Sequence, residues 1–482
     1  MTANTKAATG LAALTARLQQ DLGWLEWPAA PWMPRRHRDG RETLDVAIIG
    51  GGMAGLAAAA ALKQIGIGAP IFDRAPAGYE GPWATTARME TLRSPKQLVG
   101  PALGLPALTF RAWFEAQFGS AEWEALDKIP RLQWMDYLRW YRRVLDLDVR
   151  NEHEVRAIVP GSDGFVGLDV ASAGGTAALA ARRVVLATGR DGLGGPYVPE
   201  FTAGLPHARW AHSSDLVDEA ALAGRRVGVV GAGASAMDSA ATALEAGASS
   251  VDLLIRRPDI PRVNKGKGAG NPGLTFGWVD LPDAWKWRMR HYLNVQQTPP
   301  PRNSTLRVSR HANARFNLSC AIQAVRWTGE EIEVATSKGS FRFDFLMLST
   351  GFRIDWYARP EFAAIAPHVR SWRDRYAAPP AEEDRELADS PDLGRAFELN
   401  EKTPGACPGL DRVHCFCFPA ALSHGTVSGD IPAISDGATR LAQGIAGLFY
   451  DEDIDIHYAR MQAFAEPEVF GDEWTPAGPP GA

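Results

Sequence analysis

The sequence predicts an α/β fold in which two parallel-sheet units share one chain. Three observations predict it. A buried apolar run, a glycine-rich turn and an alanine-rich helix follow one another near residue 46, the same order returns near residue 227, and short alternating strands lie between them. Such alternation of strand and helix is typical of parallel sheets that carry helices on both faces.

The first copy runs from Val46 to Asp73. Its turn has the spacing G-x-G-x-x-G, supplied by Gly50, Gly52 and Gly55. The first glycine allows the tight turn, the second lets the backbone approach a pyrophosphate, and the third lets the helix pack against the strand. Asp73 ends the next predicted strand, where a carboxylate can accept hydrogen bonds from ribose hydroxyls. This stretch therefore predicts a dinucleotide site.

The second copy follows the apolar run Val227–Val230 and has the variant spacing G-x-G-x-x-A. Its turn residues are Gly231, Gly233, Ser235 and Ala236. Because a strand precedes the turn and a helix follows it, a second dinucleotide site is predicted.

The two copies differ in charge at the end of their second strands. Arg256 and Arg257 stand where the first copy has an acid. A carboxylate would repel a 2′-phosphate, whereas an arginine pairs with it. The second site is therefore predicted to prefer NADPH to NADH; the alternative is that both arginines are solvated surface charges.

Two short turns, Ala-Thr-Gly at 187–189 and Ser-Thr-Gly at 349–351, each follow a predicted strand. A glycine at a strand end lets the chain turn sharply beside a bound cofactor. We interpret the two turns as two returns of the chain to one sheet, with simple β-turns as the alternative. The residues expected beside the cofactors are Thr188, Gly189, Thr350 and Gly351.

The composition of the 482 residues excludes several classes of protein. A net charge of −5 and the lack of a basic block argue against nucleic-acid binding. Four cysteines provide no disulfide framework, which predicts a reducing compartment and hence the cytoplasm. Cys415 and Cys417 are predicted to be buried strand residues rather than a redox pair. No apolar run approaches the ~20 residues that span a bilayer.

Helices are predicted near both ends of the chain. Leu11, Leu14, Leu18 and Leu22 recur at helical spacing. A second helix is predicted from Ser435 to about Tyr450, with Ser435 and Asp436 as its cap.

Together these motifs resemble those of the class B flavin-dependent monooxygenases, which include flavin-containing, N-hydroxylating and Baeyer–Villiger enzymes. The resemblance covers roughly residues 44 to 450, and Gly81-Pro82-Trp83 is similar to the turn that follows the flavin site. Thr91-Leu92-Arg93-Ser94-Pro95 and Ser423-His424-Gly425 look like motifs of the N-hydroxylating branch.

The resemblance implies a domain organisation and a set of cofactors. FAD would occupy the first site, with Trp83 beside it, and NADPH the second. The fold would then be two Rossmann-type domains, the second inserted in the first. The expected units are an N-terminal extension at 1–43, a split FAD-binding domain at 44–205 and 335–482, and an NADPH-binding domain at 206–334.

The resemblance also implies a reaction. NADPH would reduce FAD, and reduced flavin with O2 would give a C4a-(hydro)peroxyflavin that inserts one oxygen atom into a small organic substrate. The candidate catalytic residues are Arg93 and His424 near the flavin and His212 between the domains.

Heteroatom oxygenation, N-oxygenation above all, is the favoured reaction. Baeyer–Villiger oxygenation of a ketone is the first alternative, although the motif F-x-G-x-x-x-H-x-x-x-W is only approximated by Phe201, Gly204 and His212. The others are an NADPH-dependent flavin reductase or oxidase without oxygen insertion, and a redox-sensing flavoprotein. A disulfide reductase would need a C-x-x-C or C-x-x-x-x-C motif, which the sequence does not contain. The sequence leaves substrate and oligomeric state open.

Overall fold

The structure is a computed structural model, which describes residues 9–478 and residue 480. The α-helices in this part of the chain are α1 (Gly10–Trp24), α2 (Met53–Gln64), α3 (Phe110–Phe118), α4 (Ser120–Ala125), α5 (Arg131–Val144), α6 (Ala234–Glu245), α7 (Lys265–Ala269), α8 (Pro272–Gly277), α9 (Asp283–Gln296), α10 (Arg302–Ser309), α11 (Trp372–Arg375), α12 (Arg385–Asp389), α13 (Ala421–His424), α14 (Ile434–Glu452) and α15 (Ile454–Ala463).

The strands of the same residues are β1 (His37–Arg38), β2 (Arg41–Glu42), β3 (Leu44–Ile49), β4 (Ile71–Phe72), β5 (Val149–Arg150), β6 (Glu154–Pro160), β7 (Val166–Ser172), β8 (Gly175–Leu186), β9 (Gly194–Pro196), β10 (Trp210–His212), β11 (Arg226–Val230), β12 (Ser250–Leu254), β13 (Ala314–Asn317), β14 (Ile322–Trp327), β15 (Ile332–Thr336), β16 (Gly339–Phe343), β17 (Phe345–Leu348), β18 (Phe352–Ile354) and β19 (Val413–Cys415).

The first sheet has the strand order β5-β4-β3-β8-β7-β6, and β19 also pairs with β8. The long strand β8 serves both halves of it. Its first half pairs antiparallel with β7, and its second half lies parallel between β3 and β19. Helix α2 contacts both this sheet and α14, which explains why every residue from Leu56 to Leu62 is buried.

The second sheet has the order β10-β17-β11-β12-β13, and all its strands are parallel. Helix α6 packs on it, and the meander β14-β15-β16 lies beside it. The antiparallel pair β9–β18 joins the two units, with Phe352 opposite Pro196. The chain thus folds as the predicted α/β class, with one parallel-sheet unit inserted in the other.

The chain around Asp344 corrects the prediction that both Thr-Gly turns return to one sheet. Asp344 separates β16 from β17, because it leaves the meander and accepts hydrogen bonds from the backbone N–H and guanidinium of Arg226. The two Thr-Gly turns therefore follow β8 and β17, which belong to different sheets. Strand β17 also extends the second sheet beyond residue 334, the predicted limit of that domain.

The predicted cap of α14 is also wrong. The helix begins after Ala433, which forms no side-chain cap. Ser435 instead donates to the carbonyl of Gly100 at 2.6 Å and accepts from the N–H of Leu103 at 3.0 Å. This serine therefore ties the helix to a neighbouring loop.

The predicted N-terminal helix is confirmed as α1, which buries Leu18 and Leu22. The first eight residues of the N-terminal extension lie outside the described residues. Cys415 and Cys417 are buried, as predicted. Within residues 9–478, no helix combines the length and the apolar character that crossing a membrane requires.

Candidate active site

The first glycine turn is shaped by close backbone packing. Gly50 has φ of +105°, and a Cβ there would lie 2.5 Å from the carbonyl oxygen of Ala187. A Cβ on Gly55 would lie 1.9 Å from the carbonyl oxygen of Gly50. Gly52 is the N-cap of α2 and makes no side-chain cap, so the first amides of the helix remain available. This turn fits the pyrophosphate of a flavin dinucleotide.

Asp73 lies at the end of β4 and holds this turn in place. Its carboxylate accepts from the N–H of Gly51 at 2.6 Å and of Ala75 at 2.7 Å. Trp83 is half-buried against the core of the first unit, and its carbonyl accepts from Arg131 at 2.6 Å. Contacts of Asp73 and Trp83 with the cofactor stay predictions.

The second glycine turn repeats the geometry of the first. Gly231 has φ of +138°, and a Cβ there would lie 2.6 Å from the carbonyl oxygen of Ser349. Gly233 is the uncapped N-cap of α6, and a Cβ there would meet nothing within 4 Å. Gly233 and Ser235 are exposed, whereas Ala236 is buried against the sheet. The exposed amides fit a second pyrophosphate.

The two arginines beyond β12 differ in their contacts. Arg257 is half-buried and donates to the carbonyl of Val295 at 3.2 Å. Arg256 is exposed and makes no ion pair within residues 9–478. Its charge is therefore free to meet a 2′-phosphate, and that role stays a prediction.

The two Thr-Gly turns share one backbone conformation. Gly189 has φ of +85° and Gly351 has φ of +86°. The hydroxyl of Thr188 is buried without a partner in the described chain, whereas that of Thr350 donates to the carbonyl of Tyr197. In each turn, the carbonyl oxygen of the residue before the threonine packs closely against the first glycine of the adjacent nucleotide turn.

His212 ends β10 and is fully buried beside the second turn. Its Nδ1 accepts from the N–H of Ser214 at 3.2 Å and lies 2.7 Å from the hydroxyl of that residue. Its ring packs edge-on against Phe352, with ring centres 5.4 Å apart. Burial lowers the pKa of His212, so its ring is uncharged at neutral pH.

His424 ends α13 and is also buried. Its Nε2–H donates to the carbonyl of Gly394 at 2.8 Å, and its ring stacks on Phe397 at 3.7 Å. Burial lowers the pKa of His424 to about 3, which leaves the ring neutral. Its Nδ1 has no partner among the described residues, so this atom can accept a hydrogen bond but cannot supply a proton.

Arg93 follows the isolated strand residue Thr91 and is exposed. It donates to the carbonyl of Pro299 and makes no ion pair in the described chain. The surrounding protein lowers its pKa, and the positive charge of Arg190 adds to this effect while Asp430 opposes it.

Arg190 and its aromatic neighbours are residues that the sequence motifs did not identify. Arg190 directly follows Gly189, and its guanidinium lies 4.3 Å from the ring centre of Phe418. The N–H of Phe418 reaches the carbonyl of Gly189 at 3.4 Å. The only signal in the sequence was the position of an arginine directly after a Thr-Gly turn.

A cleft of about 570 Å³ lies between the units and is lined by charged side chains. Arg307 in its wall pairs with Glu245 at 2.6 Å, and Arg88 donates to the carbonyls of Ser213 and Asp215. The contacts of Arg88 tie the two units together.

Comparison with known proteins agrees with this geometry. The family described as pyridine nucleotide-disulphide oxidoreductase matches residues 47–267. The chain is 41% identical over 467 residues to the FAD-dependent urate hydroxylase of Xanthomonas campestris pv. campestris, covering 96% of this chain and 98% of that protein.

Solved structures share the fold at low identity. The ornithine N-hydroxylase of Kutzneria sp. 744, solved with reduced FAD, NADP⁺ and L-ornithine, is 18% identical with a TM-score of 0.64. The L-lysine 6-monooxygenase of Pseudomonas syringae is 17% identical with a TM-score of 0.64. Each comparison covers 84% of this chain and 99% of the other.

The paired nucleotide turns and the relationship to the urate hydroxylase identify a flavin-dependent monooxygenase. The chain belongs to the family of the FAD-dependent urate hydroxylase, since the two align over nearly their whole lengths. The prediction of an FAD-dependent monooxygenase is confirmed.

Proposed function

We propose that the protein hydroxylates urate, or a purine of closely similar shape and charge, with NADPH and O2 as co-substrates. The single observation that carries this proposal is the identity of 41% across 96% of the chain with a urate hydroxylase. In the balanced reaction, one oxygen atom enters the substrate and the other leaves as water. NADPH supplies the two electrons and, with one proton from solvent, completes the water.

We assign FAD to the β3–α2 turn and NADPH to the β11–α6 turn. Asp73 supports the first assignment, because it fixes the first turn beside the expected ribose. The exposed guanidinium of Arg256 supports the second assignment, because it can pair with a 2′-phosphate. Bound FAD supplies the activation of oxygen, and the chain supplies binding, orientation and exclusion of water.

The described residues divide these tasks. Gly52 and Gly233 present helix amides to the two pyrophosphates. The buried ring of His212 packs against the half-buried ring of Phe352, which limits the access of water at that point. Neutral His424 can hold a hydrogen-bond donor at its Nδ1.

The strand pairing supports a second unit that runs from about residue 206 to Leu348, with the flavin-binding unit on both sides of it. We further propose that the enzyme acts in the cytoplasm. The four cysteines support this, since all are free thiols in the structure.

The test uses purified protein and its retained flavin. NADPH oxidation under air is measured with and without urate, and the product is analysed by mass spectrometry. We expect urate to stimulate oxidation and to gain the mass of one oxygen atom. Oxidation that urate does not stimulate, with peroxide as the main product, would instead identify a flavin oxidase.

A further inference from the structure

Arg190 is a guanidinium without a carboxylate partner. It lies between two aromatic rings, 4.3 Å from the centre of Phe418 and 5.6 Å from that of Phe352. In the part of the chain that the structure describes, Arg190 makes no ion pair. The surrounding protein lowers its pKa, and the negative charge of Glu386 opposes this effect. Arg190 is exposed, so its positive charge is open to a ligand that enters from solvent.

Arg290 of α9 is a second guanidinium of this kind. Its Nε is buried and has no hydrogen-bond partner among the described residues. Burial lowers the pKa of Arg290, and the positive charge of Arg190 lowers it further. Helix α12 contacts both α9, which carries Arg290, and β18, whose Phe352 lies beside Arg190, so one helix links the surroundings of the two arginines.

The carboxylate of Glu386 in α12 interacts electrostatically with both arginines but forms an ion pair with neither. Burial raises the pKa of its carboxyl group, and Arg190 and Arg290 only oppose this rise. The neighbouring Asp384 is occupied as the N-cap of α12. Two cations therefore share one carboxylate. Because Arg190 and Glu386 remain exposed to solvent, the remaining positive charge is open to an anion that enters from there.

We propose that Arg190 and Arg290 form the anion-binding site for the substrate, and that they select a planar organic anion such as the urate monoanion. The planar guanidinium of Arg190 can donate two parallel hydrogen bonds to the charged edge of such a molecule. The rings of Phe352 and Phe418 flank that edge with flat apolar surface. The naming of urate rests on the proposed function, whereas the selection of a planar anion rests on these residues.

The position of the pair favours substrate over coenzyme phosphate. Arg190 follows the turn after β8 of the first sheet, whereas α6 and Arg256 belong to the second. The coenzyme phosphates already have the uncapped end of α6 and the free charge of Arg256. Arg190 and Arg290 therefore remain available to bind the substrate.

The experiment measures binding to the oxidised holoenzyme without NADPH, from the change in flavin absorbance, so no turnover is needed. Urate is the anionic probe, caffeine the neutral purine probe, and NADP⁺ the coenzyme probe. The variants are Arg190→Gln, Arg190→Lys and Arg290→Gln. The matched control is Arg326→Gln, an exposed arginine on the meander that pairs with Glu333.

We expect Arg190→Gln and Arg290→Gln to raise the Kd for urate by roughly 10- to 100-fold, the usual loss for a hydrogen-bonded charge pair. Arg190→Lys keeps the charge but loses the planar fork, so it should fall between Gln and wild type. The Kd values for caffeine and NADP⁺ should stay unchanged, and Arg326→Gln should match wild type. Flavin content checks that each variant folds.

Three results would overturn the inference. The first is that the wild-type enzyme binds caffeine as tightly as urate. The second is that the Gln variants keep the wild-type Kd for urate. The third is that these variants bind NADP⁺ more weakly while their affinity for urate is unchanged. The proposed function fails separately: urate that binds through Arg190 but is not hydroxylated refutes the function alone. Urate that is hydroxylated with an unchanged KM by Arg190→Gln refutes the inference alone.

Discussion

Gly52→Ala and Gly233→Ala should separate the two nucleotide sites without unfolding the protein. Both glycines are N-caps with extended backbone, φ of −71° and −84°, which alanine adopts without strain. A Cβ on Gly52 would lie 3.9 Å from the nearest atom, the Cα of Gly81, and one on Gly233 would meet nothing within 4 Å. The space that each new methyl fills is therefore the space that a pyrophosphate needs.

The expected magnitudes follow from these distances. Replacing an N-cap glycine by alanine costs about 0.5–1 kcal/mol of folding free energy, so both variants should fold. Loss of one amide–phosphate hydrogen bond costs about 1.5–3 kcal/mol, which corresponds to roughly 10- to 150-fold in affinity. Gly231→Ala is the contrasting variant, because its Cβ would lie 2.6 Å from the carbonyl oxygen of Ser349 at φ of +138°. Strain of about 1–3 kcal/mol should make it less stable than Gly233→Ala.

The assay combines flavin absorbance per protein, thermal unfolding and the KM for NADPH. Gly233→Ala should keep its flavin and raise this KM, whereas Gly52→Ala should lose flavin. If Gly233→Ala instead lost flavin at an unchanged KM, the assignment of the two turns would be reversed. If Gly233→Ala were as unstable as Gly231→Ala, the reasoning from empty space would be refuted.

Three further predictions concern single ionisable side chains. Arg256→Gln should raise the KM for NADPH by about tenfold or more and leave that for NADH unchanged, because only NADPH carries the 2′-phosphate; equal effects on both coenzymes would contradict this. The rate of His424→Asn enzyme should follow the same pH profile between pH 5 and 8 as wild type, since the pKa of about 3 keeps His424 neutral there; loss of an ionisation in that range would show that it titrates. Asp453→Asn should lower the unfolding free energy by about 1–3 kcal/mol in denaturant titrations, because buried Arg182 loses its charged partner at 2.7 Å and keeps only Glu452 at 3.0 Å. The Arg182 and Arg36 partners lower the pKa of Asp453, so its stabilising contribution is present at neutral pH and should be lost as pH falls below about 4; stability equal in both proteins at pH 7 would contradict this.

The parallel-sheet units could be predicted because their signals are local. The turn at Gly50–Gly55 and the turn at Gly231–Ala236 each lie between a strand and a helix that the same 30-residue stretch encodes. Domain limits were less predictable, since Asp344 ends one strand by bonding to Arg226, far away in sequence. The cap of α14 was mispredicted for the same reason, because Ser435 finds its partner in the loop at Gly100.

The candidate substrate site was not predictable from motifs. Arg190, Arg290 and Phe418 come from three distant segments, and none belongs to a recurring spacing. Each has an ordinary explanation in sequence: a charge after a turn, a charge on a helix, an aromatic residue in the core. Only the fold brings these segments together, since Arg190 lies over the ring of Phe418 and α12 contacts both α9 and β18.

The repeated architecture explains why the substrate site had to lie in such segments. In both units the first glycine, Gly50 or Gly231, is pressed against the carbonyl oxygen of the residue before a Thr-Gly turn. Each nucleotide turn is thus fixed by the strand next to it, and the same constraint is used twice. A constraint that serves two different dinucleotides cannot also specify one substrate. Specificity must therefore come from what the repeats do not share, and in this chain that includes α9, α12 and the segment around Phe418.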